Sequence, residues 1–394
     1  MHGTVPLVTR ALRGCHSIGD LRDRARRRVP RVIFDYLDGA ADDEVTLARN
    51  CASFAGRELV PRVLRDVARV DLSTEILGTK SALPLVLAPT GMSRLFHHEG
   101  EAAVARAARA AGVPYTLSSV ATLSIEEIAA ASASPKWFQI YVWRDRGILR
   151  ELIARCRASG YTALCLTVDV PAPGNRERDL RNGFTIPPTF TLATALDALR
   201  RPGWLWHFLT SKRLTLGNVR GHVSADASVF SVIDYIRTQM DPSVTWDDAA
   251  WMIREWNGPF AIKGILHADD ARRAVDVGAT GVIVSNHGGR QLDHVPAPFE
   301  VLEQIAAAAG KAEVILDGGI RRGTDVLKAL ALGARACMIG RPYLYGLAAG
   351  GEAGVARALD ILRAELETGM RLLGCNAVRD LNASYLRSDS RLTG

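Results

Sequence analysis

A histidine and an arginine three residues apart, His287 and Arg290, stand in the run Ser285-Asn286-His287-Gly288-Gly289-Arg290-Gln291-Leu292-Asp293. A neutral imidazole takes up a proton near neutral pH, and a guanidinium holds a carboxylate through two parallel hydrogen bonds. Side by side they suit the removal of hydrogen from a 2-hydroxy acid. A capping histidine beside a surface arginine is the plainer account of the same pair. The run follows Gly281-Val282-Ile283-Val284, an apolar stretch that predicts a buried strand. The pair therefore belongs just past the C-terminal end of a strand, on a glycine-softened loop.

Seven other apolar runs close in the same way on polar residues or glycine. Pro84–Ala88 leads to Pro89-Thr90-Gly91, Val113–Leu117 to Ser118-Ser119, and Trp137-Phe138 to Gln139 and Tyr141. Ala163–Leu166 delivers Thr167 and Asp169, and Pro259–Ile262 delivers Lys263-Gly264. Glu313–Leu316 ends in Asp317-Gly318-Gly319, and Ala336–Ile339 in Gly340-Arg341. Alanine-rich segments of helical length separate most of them: 101–111, 125–131, 147–158, 268–277, 298–309 and 324–332. Strand–helix alternation of this kind indicates parallel strands with crossover helices. Eight such units predict a closed (β/α)8 TIM barrel, an α/β fold whose active site lies at the C-terminal strand ends. Every polar group named above falls at that face.

At 394 residues and 48% hydrophobic, the chain can bury a large core, and no linker or low-complexity block divides it. We expect one barrel domain over 1–394, with 1–80 as an N-terminal extension covering its bottom or side. A helix is expected at Arg31–Leu37. A long excursion, 171–241, follows the fourth strand. The six cysteines show no metal-type spacing, which predicts free thiols in a reducing compartment. The N-terminus lacks the apolar core of a signal peptide, and no apolar run is long enough to span a bilayer. His97-His98-Glu99 invites a metal, but no histidine follows at helical spacing. A loop and helix start is the expectation there, and no metal site is predicted. The formal charge of +7 is spread over a surface with no nucleic-acid module, which favours small anions or anionic lipid as partners.

Loops after the seventh and eighth strands of such barrels often bind phosphate through backbone N–H groups and a helix N-terminus. Here those loops carry Asp317–Asp325 and Gly340-Arg341, with Arg321 and Arg341 to add charge-assisted bonds. Turn glycines with solvated arginines are the alternative. The dinucleotide fingerprint is missing, so a mononucleotide such as FMN fits better than NAD.

Across nearly its whole length the chain resembles the FMN-dependent 2-hydroxy-acid dehydrogenases and oxidases. The matching motifs are Phe34-Asp35-Tyr36, Ala88-Pro89-Thr90-Gly91, Thr116–Ser119, Phe138–Tyr141, Leu166–Asp169, Ile262-Lys263-Gly264, Ser285–Asp293, Asp317–Asp325 and Ile339–Pro342. The resemblance implies His287 as the base and Asp169 as the carboxylate that steadies its charged form. It implies Arg176 and Arg290 as a clamp on the substrate carboxylate, with the Tyr36 hydroxyl as a third donor and Tyr141 on the substrate oxygen. Lys263 would lie at the N1/O2 edge of the flavin, where a cation offsets negative charge. Thr90, Ser118, Gln139 and Thr167 would hold the ring system and Asp317 the ribityl chain, with Pro89, Gly91, Ser285, Gly318 and Gly319 also on the cofactor side. Arg321, Gly340 and Arg341 match the phosphate end. The resemblance also implies a homo-oligomer of tetramer type.

Within the family, Gly91 stands where members vary between alanine and glycine, and glycine there resembles mandelate dehydrogenase and bacterial lactate dehydrogenases more than glycolate oxidase; an ordinary turn glycine is the alternative. The excursion contains Leu192–Leu216, where Leu196, Leu199, Trp204, Leu205, Trp206, Phe208 and Leu209 mix with Arg200, Arg201, Lys212 and Arg213. Tryptophan beside basic residues suits an anchor in the lipid headgroup layer. A packed lid over the active site is the alternative. Arg201–Trp206 is similar to the same stretch of bacterial membrane-associated L-lactate dehydrogenases, which favours the membrane. The expectation is thus oxidation of an L-2-hydroxy acid, L-lactate to pyruvate, with electrons passing to a quinone or other carrier. The enzyme would be cytoplasmic, peripheral on the inner face of the membrane. A soluble oxidase that makes hydrogen peroxide is the second expectation, and a phosphate-binding barrel isomerase or aldolase the third.

Overall fold

The computed structural model describes residues 10–184, 189, 191–222, 234–235 and 238–388. Parts of the expected extension (1–9) and excursion (185–188, 190, 223–233, 236–237) lie outside the described residues. All eight apolar runs form strands: β1 Leu85–Leu87, β2 Tyr115–Ser118, β3 Lys136–Ile140, β4 Ala163–Thr167, β5 Phe260–Ile265, β6 Gly281–Ser285, β7 Glu313–Asp317 and β8 Ala336–Ile339. They are parallel and close in sequence order, with β8 pairing back onto β1. The helices fall where the alanine-rich segments predict them, within one residue at either end. Arg31–Asp38 is helical as well.

The barrel interior holds its own apolar cluster, built from Val86, Trp137, Cys165, Ile283, Ile315 and Met338 among others. Ile76 and Leu77 join that cluster from outside the barrel sequence. They belong to an antiparallel hairpin, Thr74–Ile76 with Thr79–Ser81, and the Leu77 amide donates to Glu313 Oε2 at 2.8 Å. Glu313 begins β7, so the hairpin caps the N-terminal end of the barrel. That hairpin falls within the expected extension, of which residues 10–80 are described.

Strand register then places the chemistry. Ser118 pairs with Gln139, Thr167 with Lys263, and Ser285 with Asp317, each pair at the last rung of its ladder. Side chains alternate in and out along a strand, so a fixed register puts these polar groups in one layer at the C-terminal mouth. After β8, Gly340 caps a helical segment, Arg341–Leu373, that is interrupted at Gly350–Gly351. Its N-terminus therefore points at the same mouth.

The excursion contains two short helices, Leu192–Leu199 and Pro202–Thr210. Thr191 caps the first by accepting from the Thr194 amide, and Pro202 starts the second. Neither helix has a buried residue. Trp204 is the inward anchor: its Nε1 donates to the Leu95 carbonyl at 2.8 Å and its ring stacks on Phe208. Leu192, Leu199, Trp206 and Leu209 point outward, with Trp206 67% exposed. The sequence treated Trp204 and Trp206 alike, but a helical turn sends neighbours two apart to opposite sides.

Candidate active site

A cavity of about 560 Å3 opens at the C-terminal mouth. Of the twenty residues expected at the site, sixteen line it and four stand behind its wall: Gln139, Thr167, Asp169 and Ser285. Among the described residues a single histidine, His287, lines the cavity. His287 follows β6 in a left-handed conformation at φ 57°, and Gly288 and Gly289 continue it at φ 66° and 75°. A left-handed histidine is strained by roughly 1–3 kcal/mol and persists where surroundings hold it. The holding contacts are present. Its amide donates to Ser285 Oγ at 3.1 Å, and its Nδ1 lies 2.9 Å from Asp169 Oδ1. Burial alone would raise the Asp169 pKa, but His287 and Lys263 outweigh it and bring the carboxyl below its ordinary value. A charged Asp169 accepts from Nδ1–H, which leaves Nε2 with its lone pair.

Facing this pair are two guanidiniums and a tyrosine. The Arg290 and Arg176 guanidiniums lie 5.0 and 5.7 Å from the Tyr36 ring centroid. Phe184 and Phe96 pack on the same ring, at 4.8 and 6.2 Å. Arg290 Nη1 donates to the carbonyls of Tyr36 and Gly39, so its Nε and Nη2 remain as donors for a ligand. Burial first and Arg176 second pull Arg290 down to about 10, with Tyr36 and Asp179 opposing. Arg176 rests 3.5 Å from Asp179. Burial, and then Asp169, push the Tyr141 hydroxyl above its ordinary value, so it is a hydrogen-bond donor at neutral pH.

Beneath the mouth, Lys263 Nζ donates to Ser285 Oγ and contacts Asp317 Oδ2, both at 2.7 Å, while Ser285 Oγ donates to Asp317 Oδ2 at 2.7 Å. Burial alone would lower the Lys263 pKa, but Asp317 with Asp169 outweigh it and raise it above its ordinary value. The expected ribityl contact, Asp317, thus has a partner inside the barrel. Gln139 Oε1 accepts from Ser118 at 2.8 Å, and its buried Nε2 has no partner among the described residues. At the other end, Arg341 Nη1 donates to the Gly288 carbonyl and Nη2 to that of Gly39, while its buried Nε has no partner among the described residues. A Cβ at Gly288 would come 2.7 Å from Arg341 Nη1, so glycine there admits both the guanidinium and the left-handed turn.

Orphaned donors at Gln139 and Arg341, the Lys263 cation and the helix N-terminus at Gly340 form a cradle of the kind FMN requires: donors for a ring edge at one end, positive charge for a phosphate at the other. Sequence reasoning missed two tyrosines that stand behind this cradle. Tyr343 donates to the Ala88 carbonyl at 2.8 Å and lies 2.6 Å from Thr90 Oγ1, fixing the Thr90 rotamer. Tyr345 donates to Asp38 at 2.7 Å, and Asp38 accepts twice from Arg22, at 2.6 and 2.8 Å. Tyr345 also lies under the Arg321 guanidinium. The tyrosines at 343 and 345, close after Gly340-Arg341, were the available signal.

Gly91 yields a prediction of its own. A Cβ built there would lie 2.7 Å from Val120 Cγ2 and 3.2 Å from the Val120 carbonyl. Val120 lines the same cavity, so Gly91→Ala must displace it. Overpacking of this sort costs about 1–3 kcal/mol. The ratio of oxygen to dye turnover and the preference among 2-hydroxy acids should shift more than FMN affinity. An unchanged ratio with unchanged preference makes Gly91 an ordinary turn residue.

A closed barrel with a histidine–aspartate pair, two facing arginines and a buried lysine defines a flavin-type barrel dehydrogenase. Residues 25–388 match the model of the FMN-dependent dehydrogenase family, and the chain belongs to that family. FMN is its cofactor, and it oxidises 2-hydroxy acids. It is 46% identical over 385 residues to a putative L-lactate dehydrogenase of Mycobacterium tuberculosis, spanning 97% of this chain and 92% of that one. It is 45% identical over 369 residues to an L-lactate oxidase of Nostoc, covering 92% and 95%. The solved structure of the monotopic membrane protein (S)-mandelate dehydrogenase superposes with a TM-score of 0.92 at 39% identity, covering 95% of this chain and 100% of that one.

Proposed function

We propose that this protein oxidises L-lactate to pyruvate and delivers the electrons to a membrane quinone. The observation that carries the reading is the His287–Asp169 pair facing Arg176 and Arg290 across Tyr36. FMN, when bound, would supply the acceptor for the C2 hydrogen and its electron pair. Arg176 and Arg290 hold the substrate carboxylate, Arg290 through the donors its carbonyl partners leave open. The Tyr36 and Tyr141 hydroxyls donate to the carboxylate and to the 2-oxygen. His287 Nε2 takes the hydroxyl proton, and Asp169 offsets the imidazolium that results. Lys263 supplies positive charge beneath the site in a water-poor setting, where it acts strongly. The curated relatives named for L-lactate support lactate over mandelate. Anaerobic L-lactate should bleach the flavin absorbance within milliseconds to seconds. Reoxidation should then be faster with a soluble ubiquinone analogue than with oxygen. Faster reoxidation by oxygen, with stoichiometric peroxide, would establish the oxidase reading that the Nostoc relative supports.

Substrate binding gives a further expected result. Arg290→Lys keeps the charge but loses the planar fork, so one charge-assisted bond worth about 1.5–3 kcal/mol is lost. KM for L-lactate should rise and turnover fall, together by about 10- to 100-fold. Wild-type constants would mean that the carboxylate binds elsewhere.

The electron acceptor brings the reading to the membrane. Among the described residues no helix is long and apolar enough to cross it. Leu192, Leu196, Leu199, Trp206 and Leu209 are exposed on the two excursion helices, next to Arg200, Lys212 and Arg213. Of 192–216, only Leu216 lines the active-site cavity, which supports an anchor over a lid. The solved mandelate dehydrogenase is described as a monotopic membrane protein, in keeping with this reading. Full burial of one such side chain contributes about 1.5–3 kcal/mol. Trp206→Ser with Leu209→Ser should therefore lower sedimentation with anionic vesicles by about 100-fold at any salt, with dye turnover intact. Loss of dye turnover instead would restore the lid.

A further inference from the structure

A second cavity, of about 480 Å3, lies between the helix Pro202–Thr210 and the loop after β1. It shares only Phe96 with the active-site cavity. Four cationic side chains line it: Arg28, Arg94, Lys212 and Arg213. Three imidazoles join them. His98 and His207 stack with centroids 4.0 Å apart and planes 12° from parallel, and His97 lies 4.4 Å from His98. The remaining wall is apolar, with Trp204, Phe208, Leu209 and Leu214.

Ligand atoms of His97, His98 and Glu99 lie within 4.8 Å of one another, a spacing open to a metal ion. The surrounding charge argues against a cation. Burial, followed by His98 and then His207 and Arg28, takes His97 down to about 4, with Glu99 opposing. Burial, His207 and Arg94 lower His98 in the same way. Glu99 is itself engaged by Arg106 at 2.6 Å. The buried Nδ1 of His98 has no hydrogen-bond partner among the described residues. Cationic side chains that oppose a positive charge on His97 and His98 beside an open cavity are complementary to an anion.

We propose that this cavity binds the phosphate of an anionic phospholipid headgroup, through Arg28, His98, His207 and Lys212. Trp204, Phe208 and Leu209 would lie against the glycerol and the first acyl carbons. The inference rests on the membrane reading above and names the molecule that reading leaves open. A site for free phosphate needs only donors. Here the cationic wall merges with Phe208 and Leu209, which continue outward to the exposed apolar face. Only an amphiphile matches both halves.

The test uses full-length holoenzyme and dihexanoyl-phosphatidylglycerol below its micellar concentration, titrated by calorimetry. Saturable one-to-one binding is expected. Arg28→Gln with His207→Ala should weaken it at least tenfold, and the exposed, milder Lys212→Gln severalfold. Dye-linked turnover of these variants should match wild type. Arg200→Gln, exposed on the same segment but outside the cavity, should leave the affinity unchanged. An equal loss in Arg200→Gln would overturn the site in favour of a diffuse surface field. Equal affinity for inorganic phosphate would overturn the lipid, and equal affinity for dihexanoyl-phosphatidylcholine would overturn the anion. If wild type sediments with phosphatidylglycerol vesicles yet ignores the soluble lipid, the cavity proposal fails and the membrane reading stands. If it does not sediment, both fail.

Discussion

His287→Ala should retain FMN and reduce the rate of flavin bleaching by L-lactate roughly 10²- to 10⁴-fold, the usual contribution of a positioned general base. The imidazole touches the protein through Nδ1 and Asp169, so its loss opens space without breaking the barrel layer beneath. Single-turnover bleaching under anaerobic conditions isolates the step from reoxidation. Asp169→Asn is the companion change. Its amide can donate to Nδ1, which would move the ring proton to Nε2, the wrong nitrogen for a base. A loss of the same order is expected there, with KM little altered. Near-wild-type bleaching in His287→Ala would remove the histidine from the reaction.

The second large effect concerns stability. Lys263→Met leaves Asp317 buried with no cation, and removing one partner of a buried pair costs about 3–5 kcal/mol. Ser285 still donates to Asp317, but a hydroxyl does not neutralise a carboxylate. The holoprotein should melt many degrees lower and release FMN on dilution. Lys263→Met with Asp317→Asn removes both charges and should recover most of the melting temperature but not the turnover. If the double variant melts as low as the single one, the loss comes from packing rather than from an orphaned charge.

Much of the architecture was legible along the chain. Strand and helix periods are local properties, so eight apolar runs and the helices between them could be read without any long-range information. The barrel rule then assigned His287, Lys263 and Asp317 to one face, because each follows its strand in sequence. Their roles came from resemblance, not from spacing.

What the tertiary structure decided is which of these groups meet. His287 and Asp169 are 118 positions apart and touch only because β4 and β6 flank β5 at one register. The same closure gives Asp317 to Lys263 and sends Arg341 to the carbonyls of Gly39 and Gly288. His98 gains His207 from across the excursion, a partner that no helical spacing could announce. Trp204 and Trp206 differ only in which side of a short helix faces the barrel. Periodicity tells a side chain's direction relative to its own element. Its partners depend on how distant elements close upon one another, and that is settled by the packing of the whole core.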